Sequence, residues 1–174
     1  MAKASLIRKA LAVAVSGILL ALFLGGSGRS MEAGDMSRIA ALLKQLSADL
    51  GPFTYDEEEA DRIFEEDEAH NGRIEAAGLS RDQWREGVDA AFRGYLATIP
   101  AAVISARLNE VLEKLDRLSG LSDEQKAEIR DVTREKIAEI NLLRAEGEAY
   151  ADAVRPYAGA IEAAFQTGLA ADAE

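Results

Sequence analysis

The sequence predicts an all-α protein, an antiparallel helical hairpin or bundle of five to six helices that follows an N-terminal signal or anchor helix. Three observations support this prediction. Apolar residues recur at spacings of three, four and seven through most of the chain. Helix-capping residues and glycine stops separate these periodic stretches. No run of alternating or β-branched residues indicates a strand.

The first thirty residues are typical of an export segment. Lys3, Arg8 and Lys9 precede the uncharged residues 10–28, which end in a glycine-rich stretch. As a helix this stretch would span about 28 Å, close to the thickness of a bilayer core. Its length therefore fits either a cleaved signal or a retained anchor at residues 6–24. The basic residues lie mostly before it, so we expect the rest to reach the periplasm or the extracytoplasmic face of the inner membrane.

The charge of the remaining chain limits its partners. Residues 31–174 hold 16 basic and 31 acidic residues, a net charge of −15. Such a surface repels nucleic acid and anionic lipid headgroups. We therefore expect no nucleic-acid partner, and membrane contact only through residues 6–24. The chain has no cysteine, a single histidine and no recognised catalytic motif, so it is predicted not to be an enzyme.

The domain organisation follows from the helix boundaries. Residues 31–52 are predicted to form an N-terminal helix, capped by Ser37, and a linker. Residues 53–170 would form the acidic helical domain, and residues 171–174 a frayed tail. In this domain, Thr54 and Glu57 have the spacing of a capping box that would start a helix. Asn71-Gly72 would end that helix.

The second half of the chain predicts a long hairpin. Pro100 fits the first turn of a new helix or a kink in one helix over residues 80–119, and we favour the kink. The return helix would then cover residues 122–155 and end at Arg155-Pro156, followed by a last short helix. The outgoing arm carries a seam with steps of four and three, typical of lengthwise helix packing. The seam residues are Ile104, Leu108, Val111, Leu115 and Leu118.

Two similar motifs begin helices of this hairpin, each after a glycine. Their residues are Leu79, Ser80 and Gln83 in the first, and Leu121, Ser122 and Gln125 in the second. Over residues 79–145 the chain resembles the LTxxQ (Spy/CpxP-like) family of periplasmic helical proteins, with serine in place of the usual threonine. The resemblance implies a secreted, non-catalytic chaperone or stress-signalling modulator that binds protein partners or unfolded clients as a hairpin homodimer. The acidic charge departs from the basic concave face that this family tends to present.

Residues 67–78 resemble an EF-hand calcium loop. Asp67 would take the first position, Asn71 the fifth, the Arg73 carbonyl the seventh and Glu75 the ninth, with Gly72 at the sharp turn. The third and twelfth positions, occupied by alanine and glycine, offer no side-chain oxygen. The loop therefore predicts a calcium site with few ligands, a vestigial hand without its ion, or a plain helix stop.

Together these features predict an exported, acidic, all-helical binding protein of accessory, chaperone-like or stress-related type. The alternatives are a calcium-binding module over residues 54–92 and a membrane-tethered structural spacer. The contact surface is expected on the faces of residues 84–118 and 125–145. Its predicted partner-binding residues are Trp84, Val88, Phe92, Tyr95, Ile104 and Leu108.

Overall fold

The computed structural model describes residues 33–56 and 58–167, except for the side chains at positions 33 and 108. The predicted export segment and the predicted tail at residues 171–174 lie outside this range. The helices are α1 Ala33–Leu50, α2 Glu59–His70, α3 Arg73–Ala76, α4 Arg81–Thr98, α5 Ala101–Arg117, α6 Asp123–Gly147, α7 Ala151–Val154 and α8 Ala158–Phe165. Single turns of 3₁₀ helix at Glu148–Tyr150 and Arg155–Tyr157 flank α7.

The all-α class is confirmed, since the described residues contain no strand and include six helices of eight residues or more. None of these helices combines the length and the apolar composition that a bilayer crossing requires.

Both predicted capping boxes at the starts of α4 and α6 are confirmed. Ser80 Oγ accepts from the backbone N–H of Gln83 at 3.3 Å, and Gln83 Oε1 accepts from the N–H of Ser80 at 2.9 Å. Ser122 and Gln125 repeat this exchange at 3.2 and 2.9 Å. Each box satisfies two N–H groups that have no partner inside the helix, a stabilisation of about 1 kcal/mol.

The prediction of one kinked helix through Pro100 is wrong. Ile99 and Pro100 are both extended, with ψ angles of 127° and 136°, and they separate α4 from α5. The reason is local, because the proline ring disfavours helical geometry in the residue before it. Arg144 of α6 braces the break, since its Nε donates to the carbonyl of Ile99 at 3.0 Å.

Two predicted helix starts are also wrong. Thr54 does not cap α2, whose first N–H groups are met by Asp56 instead, because Asp56 Oδ1 accepts from the N–H groups of Glu58 and Glu59 at 2.9 and 2.7 Å. The helix therefore begins at Glu59. Ser37 lies inside α1 and does not cap it.

The return helix is shorter than predicted. It ends at Gly147, eight residues before the predicted break at Arg155-Pro156. At Gly147 the helix crosses α4 so closely that a Cβ atom would overlap the carbonyl of Arg93. Beyond this crossing the chain turns through short helical segments that keep it against α4.

The core forms around α4, which packs against α1, α2, α6, α7 and α8. Trp84 lies at its centre, fully buried, and its Nε1 donates to the carbonyl of Ala60 at 2.9 Å. Fully burying one large apolar side chain stabilises the fold by about 1.5–3 kcal/mol. An aromatic cluster closes one end of the core and consists of Phe53, Tyr55, Phe92 and Phe165.

The hairpin of α5 and α6 extends from this core. Helix α5 packs chiefly against α6, with no third helix laid along it among the described residues. The register of the two helices is set near the turn, where Lys126 Nζ donates to the carbonyl of Asp116 at 3.0 Å. Arg130, one turn further along α6, forms an ion pair with the carboxylate of the same Asp116.

Candidate functional site

The predicted partner-binding residues lie mainly in the core, which corrects the prediction of the contact surface. Their apolar side chains belong to the buried cluster, so they have no free face for a partner. Helical spacing marks the apolar face of a helix, but it does not show whether another part of the same chain covers that face. The buried members are Trp84, Val88, Phe92, Tyr95 and Ile104, whereas the side chain of Leu108 lies outside the described residues.

Exposed apolar side chains instead lie on the α5–α6 hairpin. Val111 is 44% exposed, Leu118 48% and Val132 44%. Val111 lies on α5, and Leu118 is the residue that directly follows this helix, seven positions later and close to the same side. These three side chains are called the hairpin groove below. The sequence contains a signal for two of them, since they belong to the predicted seam, but it does not indicate that the seam stays open.

The register of the hairpin brings the third residue of the groove beside the first. Asp116 contacts Lys126 and Arg130, so its level on α6 lies between these two residues. Val111 lies five residues before Asp116 on α5. Because the helices run antiparallel, the position opposite Val111 lies about five residues further along α6, next to Val132. At about 100° per residue, Val111 and Asp116 lie on opposite flanks of the buried Leu115, and Val132 and Arg130 lie on opposite flanks of the buried Thr133. Because Asp116 pairs with Arg130 on one side of the hairpin, the two valines lie on the other side.

The charges that flank the groove differ between the two helices. The exposed bases of the hairpin are already paired along their own helices, as in Lys114–Glu110 at 2.7 Å, Arg117–Glu113 at 3.3 Å and Arg134–Asp131 at 3.1 Å. Lys114 also lowers the pKa of Glu110 below its ordinary value, through a hydrogen bond and its charge.

On α6, two carboxylates lie on either side of Val132. Glu128 is one turn before it and Glu135 one turn after it, and both are exposed. Neither forms an ion pair with a described residue. The α6 edge of the groove is therefore acidic.

One ion pair in the hairpin is largely buried. Lys136 Nζ lies 2.6 Å from Glu139 Oε2, and both side chains are mostly covered. Glu139 Oε1 has no hydrogen-bond partner among the described residues. Both residues belong to α6 and lie three positions apart, so the pair stays within one helix.

The predicted calcium loop is organised by Asp67. This residue is only 2% exposed, and its Oδ2 accepts from the N–H of Ile74 at 2.8 Å. Its carbonyl accepts from the N–H groups of Asn71 and Gly72 at 2.7 and 2.6 Å. Gly72 has a φ of 59°, the left-handed region that glycine reaches without steric cost, as the sequence indicates.

The predicted ligands do not point at one centre. Asn71 and Glu75 are exposed, and the Arg73 carbonyl accepts from the N–H of Ala77 at 2.9 Å inside the turn of α3. The Arg73 side chain pairs with Asp49 at 2.6 Å. A calcium loop needs its seventh carbonyl directed at the ion, whereas here it completes a helical turn. Among the described residues, no group of three or more histidine, aspartate or glutamate side chains could hold a metal ion.

A polar network that the sequence does not reveal fastens the linker between α1 and α2. The ring of Tyr55 stacks on Phe92 at 3.8 Å, and its hydroxyl donates to Asp89. Arg93 Nε donates to the same carboxylate at 2.8 Å, and Arg93 also pairs with Glu146 of α6.

Burial, with the nearby charge of Asp89, raises the pKa of Tyr55 well above its usual value. The hydroxyl therefore stays protonated and remains a donor. The network joins the linker, α4 and α6, and its residues are too far apart in sequence to form a recognisable motif. Its charged residues, Asp89, Arg93 and Glu146, all pair within the network, so we interpret the network as structural.

Comparisons of the chain with family models, with curated proteins and with solved structures give no match.

Proposed function

We propose that residues 31–174 form a non-catalytic accessory protein that binds other proteins outside the cytoplasm, in a chaperone-like or stress-related role. The observation that supports this proposal is the hairpin groove. Its three large apolar side chains stay close to half exposed on the hairpin, whose outer helix α5 has no third helix along it among the described residues. Exposed apolar surface of this kind is typical of protein-binding sites.

The energetics favour a covering partner. A helix pair buries only the faces that its two members turn towards each other, and a further layer is needed to bury the rest. A partner that covers half of an exposed valine or leucine side chain gains about 1 kcal/mol of binding free energy from it. Three such side chains supply a modest, reversible affinity, which suits transient binding of partly unfolded chains.

The net charge of −15 fits the same role. Strong charge keeps a protein soluble and monomeric although it carries an apolar surface. It also keeps complexes with hydrophobic clients in solution. The absence of cysteine is compatible with an oxidising compartment, because no thiol can form an unwanted disulfide with a client.

Suppression of client aggregation tests the proposal. Light scattering of several unfolded clients would be followed with the full chain and with the triple variant Val111→Ser, Leu118→Ser and Val132→Ser. We expect the full chain to suppress aggregation at stoichiometric amounts and the triple variant to lose most of this effect. Leu50→Ser is the matched control, since Leu50 is 39% exposed and lies on α1. Absence of any effect on all clients would refute the proposal.

Calcium binding by residues 67–78 is a second candidate, and one observation favours it. Asp67 Oδ1 is buried and has no hydrogen-bond partner among the described residues. A buried carboxylate oxygen without a partner is costly, and a cation would satisfy it. Calorimetry with calcium distinguishes the candidates. A heat signal that disappears in Asp67→Ala and persists in the exposed-site control Asp152→Ala would support a calcium site, and silence up to millimolar calcium would refute it.

A further inference from the structure

We propose that the hairpin groove receives one amphipathic α-helix of a partner protein, which carries basic residues along the edge that meets α6. This inference rests on the proposed function and names the kind of partner that fits the same site. The occupant would lie along the hairpin as a third helix and place its apolar stripe over Val111, Leu118 and Val132.

The shape of the groove favours a helix. Val111 on α5 and Leu118, the residue directly after α5, are seven residues apart, and Val132 lies at the level of Val111 across the hairpin. A stripe with this repeat matches the seven-residue repeat of an approaching helix, whose side chains insert between those of its neighbours. An extended strand would find no unpaired backbone edge here, because the backbones of α5 and α6 are helical.

The charge of the groove selects the sign of the partner. Glu128 and Glu135 flank Val132 on α6 and have no basic partner among the described residues. On α5, Lys114 is already neutralised by Glu110 at 2.7 Å. Opposite charges across an interface raise the association rate and exclude partners of the wrong sign. Basic residues on the α6 side therefore complete the site, and acidic residues there would be repelled.

The same charges disfavour a second copy of this chain as the occupant. Residues 31–174 of each copy carry −15, and the α6 edge of a second hairpin would bring Glu128 and Glu135 towards carboxylates of the same kind.

A pair of synthetic helices tests the proposal. One is an amphipathic peptide of about 21 residues, roughly 32 Å long, with leucine at heptad positions and lysine along one flank. The other has glutamate in place of each lysine. Fluorescence anisotropy would measure the binding of each to the full chain, to the double variant Glu128→Lys and Glu135→Lys, and to a control with the same charge change, Glu68→Lys and Glu86→Lys. Circular dichroism would verify that the variants keep their helical content.

We expect the full chain to prefer the lysine peptide. The groove variant should lose about tenfold in affinity for it and gain affinity for the glutamate peptide. The affinity of the control variant for the lysine peptide should stay within about twofold of that of the full chain, because its changed charges lie outside the hairpin and salt screens them. Equal affinity for both peptides, or equal losses in groove and control variants, would overturn the proposal. A stable dimer in sedimentation that Val132→Ser dissociates would assign the groove to a second copy and would also overturn it.

The aggregation assay separates this inference from the proposed function. If neither peptide binds while aggregation is still suppressed through Val111, Leu118 and Val132, the partner helix is wrong and the proposed function stands. If aggregation is not suppressed and neither peptide binds, both are wrong.

Discussion

Gly147 of α6 lies directly against the backbone of Arg93 in α4. A Cβ atom at position 147 would overlap the carbonyl of Arg93 and stand 2.9 Å from the backbone nitrogen of Gly94. No side-chain rotation relieves such an overlap, because both partners are backbone. The two helices can therefore cross at this distance only with glycine at position 147, and this crossing fixes the base of the α5–α6 hairpin.

Gly147→Ala is expected to lower the free energy of unfolding by about 3 kcal/mol or more, because the helices must move apart to fit one methyl group. Urea denaturation followed by circular dichroism measures the change. Gly159→Ala is the matched control, since that position in α8 has open space around it and alanine favours a helix by about 0.5–1 kcal/mol. Equal stability of the two variants would contradict the close crossing.

Ser80→Ala and Ser122→Ala each remove the hydroxyl of a capping box, so the first turns of α4 and α6 lose an acceptor for one N–H. We expect each to cost about 1 kcal/mol in global stability. Thermal denaturation of the single variants measures it. Ser47→Ala is the control, because the hydroxyl of Ser47 only donates to the Lys44 carbonyl within α1. A cost for the control as large as for the cap variants would argue against a specific capping contribution.

Asp67→Ala should destabilise the chain by about 1–3 kcal/mol, because the buried N–H of Ile74 loses its acceptor. The neighbouring Glu68→Ala removes an exposed carboxylate and should change stability by less than about 0.5 kcal/mol. Chemical denaturation without added metal provides the comparison. A neutral Asp67→Ala would show that the carboxylate does not organise the loop.

The buried hydroxyl of Tyr55 predicts a dependence of stability on alkaline pH. Burial, followed by the charge of Asp89, raises its pKa in the folded chain above the unfolded value of about 10. The contribution of this hydroxyl to the free energy of unfolding is therefore complete below the pKa of the unfolded chain, and it is lost as the pH rises towards the pKa of the folded chain. Stability measured against pH should fall in this range for the full chain and less steeply for Tyr55→Phe. Identical slopes would contradict the network with Asp89 and Arg93.

The sequence predicts the local features of this fold well. The capping boxes at Ser80 and Ser122 are hydrogen-bond patterns within four residues, and the left-handed turn at Gly72 depends on one residue. The predictions of a kink at Pro100 and of a return helix as far as Arg155 are wrong. The break at Pro100 is itself local, since the proline ring disfavours helical geometry at Ile99, but this proline fits either a kink or a new helix start. The helix end at Gly147 depends on a backbone of α4 that is distant in sequence.

The candidate site could be predicted only in part. Trp84 and Val111 both lie on periodic apolar faces, yet one is at the centre of the core and the other is close to half exposed. The difference arises from tertiary packing, since α4 is surrounded by helices and α5 packs chiefly against one. Tyr55, Asp89 and Glu146 are linked through Arg93 although they lie far apart in the sequence. No sequence pattern predicts these contacts.

Site-specific photo-crosslinking tests the central claim, that the hairpin groove is the contact surface, most directly. A photoreactive side chain would replace Val132 in one sample and Leu50 in another, each in the presence of an unfolded client. Both positions are exposed to a similar degree, so they differ mainly in location. We predict strong crosslinks to the client from position 132 and weak ones from position 50. Equal yields from both positions, or a higher yield from position 50, would contradict the claim.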